Sequence, residues 1–237
     1  MVEALIIAGG KGVRTNQDIP KQFINIDNVP VIIYTLNAFQ QHPEIDEILV
    51  VCIDGWQEIL WAYARQFNIS KLKWVLPGGC TGQESIRNGI CELKKHNDGD
   101  DIVLIHDGIR PNISQEIISG CIAQCRLSGS AVTVIPCAEA MLLRQDDGKS
   151  SEEVIDRDCL VRTQTPQAFP LKKLLWAHEE AEKKKIINSV ATCTLMIELG
   201  EKVCFCAGSE KNVKITTVED IEIFKALLYS KKEPWLK

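Results

Sequence analysis

The chain has 237 residues, 45% of them hydrophobic and 25% charged. That balance excludes a disordered chain, a collagen-like fibre and a disulfide-stapled mini-protein, and the length is ample for one large α/β domain or two small ones. A formal net charge of −5 argues against a bulk nucleic-acid binder, while leaving room for a local basic site that takes a phosphorylated small molecule.

Along the chain, short apolar runs alternate with helical patterns. Residues 4–8 form a compact apolar run that ends in Gly9-Gly10. Residues 31–41 carry apolar side chains at 32, 33, 36 and 39, the spacing of one helix face. The run Ile-Leu-Val-Val-Cys-Ile at 48–53 reads as a strand, and 58–67 as a helix after Asp54 and Gly55. A strand at 72–76 precedes a helical stretch at 84–95 that Gly89 is expected to break. A strand at 102–105 precedes a helix at 114–128, with Ser114 as its N-cap and Ile113 before it. Residues 131–135 and 203–205 complete the strands. Runs this short and rich in Val and Ile suit strands buried on both faces, so the alternation predicts a mainly parallel sheet with helices on both sides.

Residues 137–165 break this rhythm. Arg144-Gln-Asp-Asp-Gly148-Lys-Ser-Ser-Glu-Glu153 is polar and rich in turn formers, which predicts either a hairpin arm leaving the sheet or an ordinary surface loop. Residues 231–237 read as a frayed tail. No repeat or linker divides the chain, so residues 1–237 are read as one domain.

The ten cysteines contain no Cys-x-x-Cys, and none of the four histidines has zinc-site spacing to a cysteine pair. Most lie in apolar runs, such as Val-Cys-Ile at 51–53, and read as buried, reduced thiols. The first ten residues lack a basic start and an apolar stretch of signal length, and no apolar run approaches a membrane span of about 20 residues. The expectation is a cytoplasmic protein with free thiols and no membrane partner.

The strongest chemical signal is Leu5-Ile-Ile-Ala-Gly9-Gly10-Lys11-Gly12-Val-Arg14, followed by Pro20-Lys21-Gln22. A buried strand runs straight into glycines, which let backbone N–H groups close around a phosphate chain without Cβ obstruction. Arg14 and Lys21 add positive charge nearby. No Gly-Lys-Ser/Thr follows and Gly-x-Gly-x-x-Gly is absent, so neither common phosphate loop explains the pattern.

This opening resembles that of the cytidylyltransferases that make CDP-activated polyols, a family including the 2-C-methyl-D-erythritol 4-phosphate and ribitol 5-phosphate enzymes. Further matching motifs follow in order: Gly78-Gly79 with Ser85-Ile-Arg-Asn-Gly89, His106-Asp107-Gly-Ile-Arg110-Pro111, Arg157 with Thr165-Pro166-Gln167-Ala-Phe169, and Asn212-Val-Lys214-Ile-Thr216 with Glu219-Asp220. The likeness covers about residues 2–228.

The resemblance implies an α/β, Rossmann-like, mainly parallel sheet of the nucleotide-diphospho-sugar transferase type with a protruding β-arm. It implies attack of a polyol phosphate on the α-phosphorus of CTP, with Mg²⁺ as cofactor and pyrophosphate as leaving group. Ala8, Gly9, Gly10, Gly12, Gly79 and Ser85 would bind the nucleotide. Arg14, Lys21 and Lys214 would be catalytic, because neutralising charge and aligning two anions is most of what phosphoryl transfer needs. Asp107, Arg110, Arg157 and Lys214 would hold the acceptor, with Asp107 also at the metal end. The arm, at about 137–165, would reach a second subunit, making a homodimer in which Arg157 serves the neighbour's site. His106 reads as a packed, hydrogen-bonding histidine.

Three departures fall mainly on the acceptor side. Glu139-Ala140 stands where the family commonly has Asp-Thr, Gly82 where it usually has Arg, and Ser189-Val-Ala191-Thr192-Cys193 where it has an acidic element. Two other readings stay open: a nucleotide-binding homologue with little catalysis, and a pyrophosphorylase for a sugar 1-phosphate.

Overall fold

The structure is a computed structural model and describes residues 1–10, 19–146 and 148–232. Gly12 and Arg14, expected in the nucleotide site, lie outside the described residues, as do residues 233–237 of the expected tail.

Strand β1 (Val2–Ala8) is buried along nearly its whole length and sits in the middle of the sheet. Its side chains alternate between two cores. Ala4, Ile6 and Ala8 join one, and Leu5 the other, as the period of two in a strand requires. A 3₁₀ turn at Lys21–Phe23 and a small hairpin, β2 (Asn25–Ile26) and β3 (Val29–Pro30), lead into α1 (Val31–Gln41). Then follow β4 (Glu47–Cys52), α2 (Gln57–Gln66), β5 (Leu72–Pro77), α3 (Gly82–Leu93), β6 (Ile102–Asp107), α4 (Gln115–Ser128) and β7 (Ala131–Pro136). Helix α3 proves continuous through Gly89, against the expected break. Ser114 caps α4, its hydroxyl accepting from the Ile117 amide.

The 137–165 stretch contains a two-stranded antiparallel hairpin, β8 (Met141–Leu143) and β9 (Glu153–Ile155), with Leu142 opposite Val154. The main sheet resumes at β10 (Val161–Pro170), so the last five residues of that stretch belong to the sheet. Helices α5 (Leu171–Lys183) and α6 (Thr192–Glu198), strand β11 (Phe205–Ala207) and helix α7 (Val218–Lys232) complete the fold. Strand β11 starts two residues later than expected, and α7 runs through the first two residues of the expected tail.

Among the described residues the main sheet has seven strands in the order β11-β7-β10-β6-β1-β4-β5. Only β10 runs antiparallel, between β6 and β7. Helices α1, α2 and α4 pack on one face, and α3, α5 and α6 on the other. Strands β4 and β6 flank β1, so consecutive parallel units leave β1 in opposite directions. That reversal opens a crevice at the carboxyl ends of β1 and β6, where open α/β sheets bind ligands.

Five cysteines, at 52, 121, 125, 137 and 193, are buried. Cys80, Cys91 and Cys159 are exposed, against the expectation that most are core thiols, because each lies on a loop or on the outer face of a helix. No helix of the described residues is long and apolar enough to cross a membrane.

Candidate active site

The crevice is a cleft of about 880 Å³. Ala8, Gly9 and Gly10 form one wall, and Gly78 and Gly79, after β5, face them. A Cβ on Gly9 would sit 3.4 Å from the Gly78 Cα, so the two turns approach as closely as backbone allows. Gln22 fixes the first turn from beneath. Its buried amide donates to the Ala8 carbonyl at 2.8 Å and the Gly10 carbonyl at 3.2 Å. Lys21, one residue earlier, lines the same cleft.

Helix α3 starts at this cleft. Thr81 is its N-cap and accepts from the Glu84 amide at 3.1 Å, while the Glu84 carboxylate accepts from the Cys80 amide at 2.6 Å. A helix N-terminus with unpaired N–H groups favours an anion. Ser85 is buried, and its hydroxyl accepts from the Gly79 amide at 3.0 Å and donates to the Thr81 carbonyl at 2.9 Å. Expected to bind nucleotide, Ser85 lines the cleft, and its hydroxyl also shapes the glycine turn.

Asp107 ends β6, its Cα paired with that of Ile7. Its Oδ1 accepts from the Lys214 Nζ at 3.1 Å and its Oδ2 from the Arg110 Nε at 3.0 Å. Burial pushes the Asp107 pKa up, but the Lys214 and Arg110 cations outweigh it and hold the carboxyl below its ordinary value. Arg110 is itself tied down, donating to the Asn212 carbonyl at 2.8 Å.

Beneath this pair lies buried His106, whose pKa burial pushes down to about 4. Neutral imidazole has one donor and one acceptor, and the contacts assign them. Nε2–H donates to the Arg110 carbonyl at 3.2 Å, and the Thr165 hydroxyl, 3.1 Å from Nδ1, donates to that nitrogen. The same hydroxyl accepts from the Asp107 amide at 3.0 Å. His106 is thus a structural hydrogen-bonding group, as the sequence suggests.

A second cavity of about 300 Å³ adjoins the first and shares Ile7, Gly82, Asp107 and Lys214 with it. Gln164, Thr165, Gln167, Ser189 and Thr192 give it a wall of neutral polar groups, and Arg110 also borders it. The structure therefore brings together Ala8, Gly9, Gly10, Lys21, Gly79, Ser85, Asp107, Arg110 and Lys214 around two joined cavities.

Arg157 is the exception. Its side chain is 55% exposed beside the hairpin, donates to the Ala138 carbonyl at 2.7 Å and lines neither cavity. The acceptor role expected for it has no counterpart within this chain, because β10 carries the chain away from the arm before reaching the cleft. Sequence reasoning gave no role to Gln22, Thr165 or Asn212. Each lies within a quoted motif, and each is a polar residue at least half-buried and spent on backbone groups of the site.

Fold and cleft together define an α/β enzyme that handles a phosphate-bearing ligand at the reversal point of its sheet. The family model for 2-C-methyl-D-erythritol 4-phosphate cytidylyltransferase (IspD) matches residues 2–230. A ribitol-5-phosphate cytidylyltransferase of Lacticaseibacillus paracasei is 43% identical over 98% of this chain and 100% of its own length. A 2-C-methyl-D-erythritol 4-phosphate cytidylyltransferase of Clostridium acetobutylicum is 38% identical over 95% of this chain and 96% of its own. Among solved structures, the 4-diphosphocytidyl-2C-methyl-D-erythritol synthase of Anaerococcus prevotii superposes with a TM-score of 0.81 at 26% identity, covering 96% of this chain and 98% of that one. The chain belongs to the IspD cytidylyltransferase family and is a nucleotidyltransferase.

Proposed function

We propose that the chain transfers CMP from CTP to a polyol phosphate, ribitol 5-phosphate before 2-C-methyl-D-erythritol 4-phosphate, and releases pyrophosphate. The observation that carries the reading is the Asp107–Lys214 pair at the junction of the two cavities. One side offers glycine turns, Lys21 and a helix N-terminus suited to a nucleotide triphosphate. The other offers neutral hydrogen-bonding groups suited to a polyol. Relatives that bear the ribitol name are 43%, 42% and 38% identical, against 38% and 34% for relatives that bear the methylerythritol name, which supports the order of acceptors.

In this reading the Gly9-Gly10 amides hold the triphosphate. Lys21 offsets charge growing on the oxygens of the attacked phosphorus, and Lys214 draws the acceptor phosphate to the junction. Arg110 and Asn212 keep Asp107, and through it Lys214, in place. Asp107 is a hard oxygen donor at the junction, and one carboxylate is about what a Mg²⁺ bound largely through substrate phosphates asks of a protein. Among the described residues no group of three acidic, histidine or cysteine side chains forms a protein cage for a metal. Bound beside Asp107, Mg²⁺ would supply charge neutralisation to the phosphates.

The reading includes a homodimer. Arg157 can meet an acceptor only in a neighbouring copy, and the hairpin beside it exposes Leu142 and Val154. The test is pyrophosphate release with CTP and Mg²⁺ against ribitol 5-phosphate, methylerythritol 4-phosphate, glycerol 3-phosphate and glucose 1-phosphate, each repeated with UTP. Release with CTP and ribitol 5-phosphate is expected. Release only with a sugar 1-phosphate, or preference for UTP, would overturn the proposal.

A further inference from the structure

Gln83 lies in the first turn of α3, half-buried, between the nucleotide cleft and the segment 186–191. Its amide is used at both ends. Nε2 donates to the Ile186 carbonyl at 2.6 Å, and Oε1 accepts from the Ser189 amide at 2.8 Å. The two contacts span more than a hundred residues of sequence and close a loop of backbone onto the helix. The primary amide, with donors at one end and an acceptor at the other, makes both contacts at once.

The segment so held forms one wall of the acceptor-side cavity, through Ser189, Val190 and Ala191. Its ends have further anchors: the Ile186 amide donates to the Ala181 carbonyl at 2.8 Å, the Ser189 hydroxyl lies 2.7 Å from the Thr194 hydroxyl, and the Ala191 amide donates to that Thr194 hydroxyl at 2.9 Å. Between them Ile187 is 78% exposed and Val190 95% exposed, so the Gln83 amide is what joins this stretch to α3. Helix α3, in contrast, is fixed by Ile90 and Leu93 in the core and by the Ser85–Gly79 contact.

We infer that Gln83 is a positioning residue for the acceptor: it ties the wall of the acceptor cavity to the helix that faces the nucleotide, and so sets the distance between the two substrates. This rests on the reaction proposed above. Reacting atoms must be held in line at about 3–3.5 Å, and a displacement of about 1 Å is costly, so loosening that wall acts on acceptor use and leaves the nucleotide turns untouched.

The test compares wild type with Gln83→Met, which keeps length and helix propensity but removes both hydrogen bonds. In steady-state kinetics with CTP and ribitol 5-phosphate, KM for the acceptor should rise roughly tenfold while KM for CTP stays within about twofold. Hydrogen exchange supplies a second readout that does not depend on turnover: the Ser189 amide should exchange at least about tenfold faster in the variant, with β1 and β6 amides unchanged. A rise confined to CTP KM, a parallel rise of both with general loss of protection, or unchanged Ser189 protection would overturn the inference. If the wild type turns over no polyol phosphate, the proposed reaction fails by itself. The exchange of residues 186–191 then decides the role of Gln83 alone.

Discussion

Replacing Asp107 with Asn removes one charge at the junction of the cavities and changes little else. The cost follows from the two partners. The Lys214 side chain is 42% exposed, so its pair with Asp107 is screened and contributes about 0–1 kcal/mol. The Arg110 side chain is 11% exposed, and a hydrogen bond charged at both ends in that setting contributes about 1.5–3 kcal/mol. The substituted carboxamide could still accept from one cation but would present an N–H₂ to the other. The variant should therefore lose about 2–3 kcal/mol, which lowers the unfolding midpoint by roughly 5–10 °C in a domain of this size. Lys214 and Arg110 would no longer be oriented, and kcat/KM should fall about tenfold to a hundredfold.

The pH dependence has a definite sign. Asp107 has a folded-state pKa below the ordinary value of 3.8. The unfolded chain therefore takes up the proton first as pH falls. The stabilisation is complete above the ordinary value and is lost as pH drops through the lower folded-state value. The stability gap between wild type and variant should hold from about pH 7 to pH 5 and narrow below about pH 4. Thermal unfolding of both proteins across that range is the assay. Equal stability at pH 7, or a gap that widens on acidification, would refute the assignment of Asp107 as the ion-paired centre of the site.

Lys21→Ala should lower turnover by about a hundredfold to a thousandfold with the unfolding midpoint held within about 2 °C, since the lysine acts on transition-state charge; wild-type rates in the variant would remove it from the catalytic set. Gly89→Val should destabilise by about 3 kcal/mol, because even a Cβ there overlaps the buried Leu5 side chain and β1 cannot yield; an unchanged denaturant midpoint would contradict the packing of α3 on β1. Arg157→Ala should raise acceptor KM without changing CTP affinity measured by calorimetry, and its damage should be complemented in mixed dimers with Lys21→Ala; loss of CTP affinity instead would place Arg157 in a different role.

Much of the fold was legible because its central strands carry apolar runs, at 4–8, 48–52 and 102–105, that are buried on both faces. The buried Glu3 in β1 and His106 in β6 lie outside those runs, and Glu3 had no local signal. Strand β10 was not legible. Its first five residues fall in the 137–165 stretch read as an arm or surface loop, yet Gln164 and Gln167 are buried with their amides paired internally. That pairing joins residues far apart in sequence, so no local pattern announces it. The same limit applied at the site. The glycine turn and the Asp107 motif could be read off the chain, whereas the contacts that hold them, from Gln22, Thr165 and Asn212, link separate elements. Arg157 could be matched to a motif, but its distance from the cleft depends on where β10 rejoins the sheet.

The departures from the family pattern make physical sense together. Gly82, in place of a cation, and Ala191, within a stretch that lacks its usual acid, border the same cavity. Losing only one of two opposite charges would leave the other partly buried without a partner, which costs several kcal/mol. Losing both leaves a neutral gap, and in this chain the Gln83 amide crosses it with two neutral hydrogen bonds. The buried Thr192 hydroxyl beside them has no hydrogen-bond partner among the described residues. The Ser189 hydroxyl is taken up by Thr194 and Glu198, so apart from Thr192 this wall is built from neutral groups already paired within the protein, and the charges that border the cavity come from Asp107, Arg110 and Lys214. In the proposed reaction the acceptor would then meet a wall without the family's usual cation and acid, beside a nucleotide cleft that keeps Lys21 and the glycine turns.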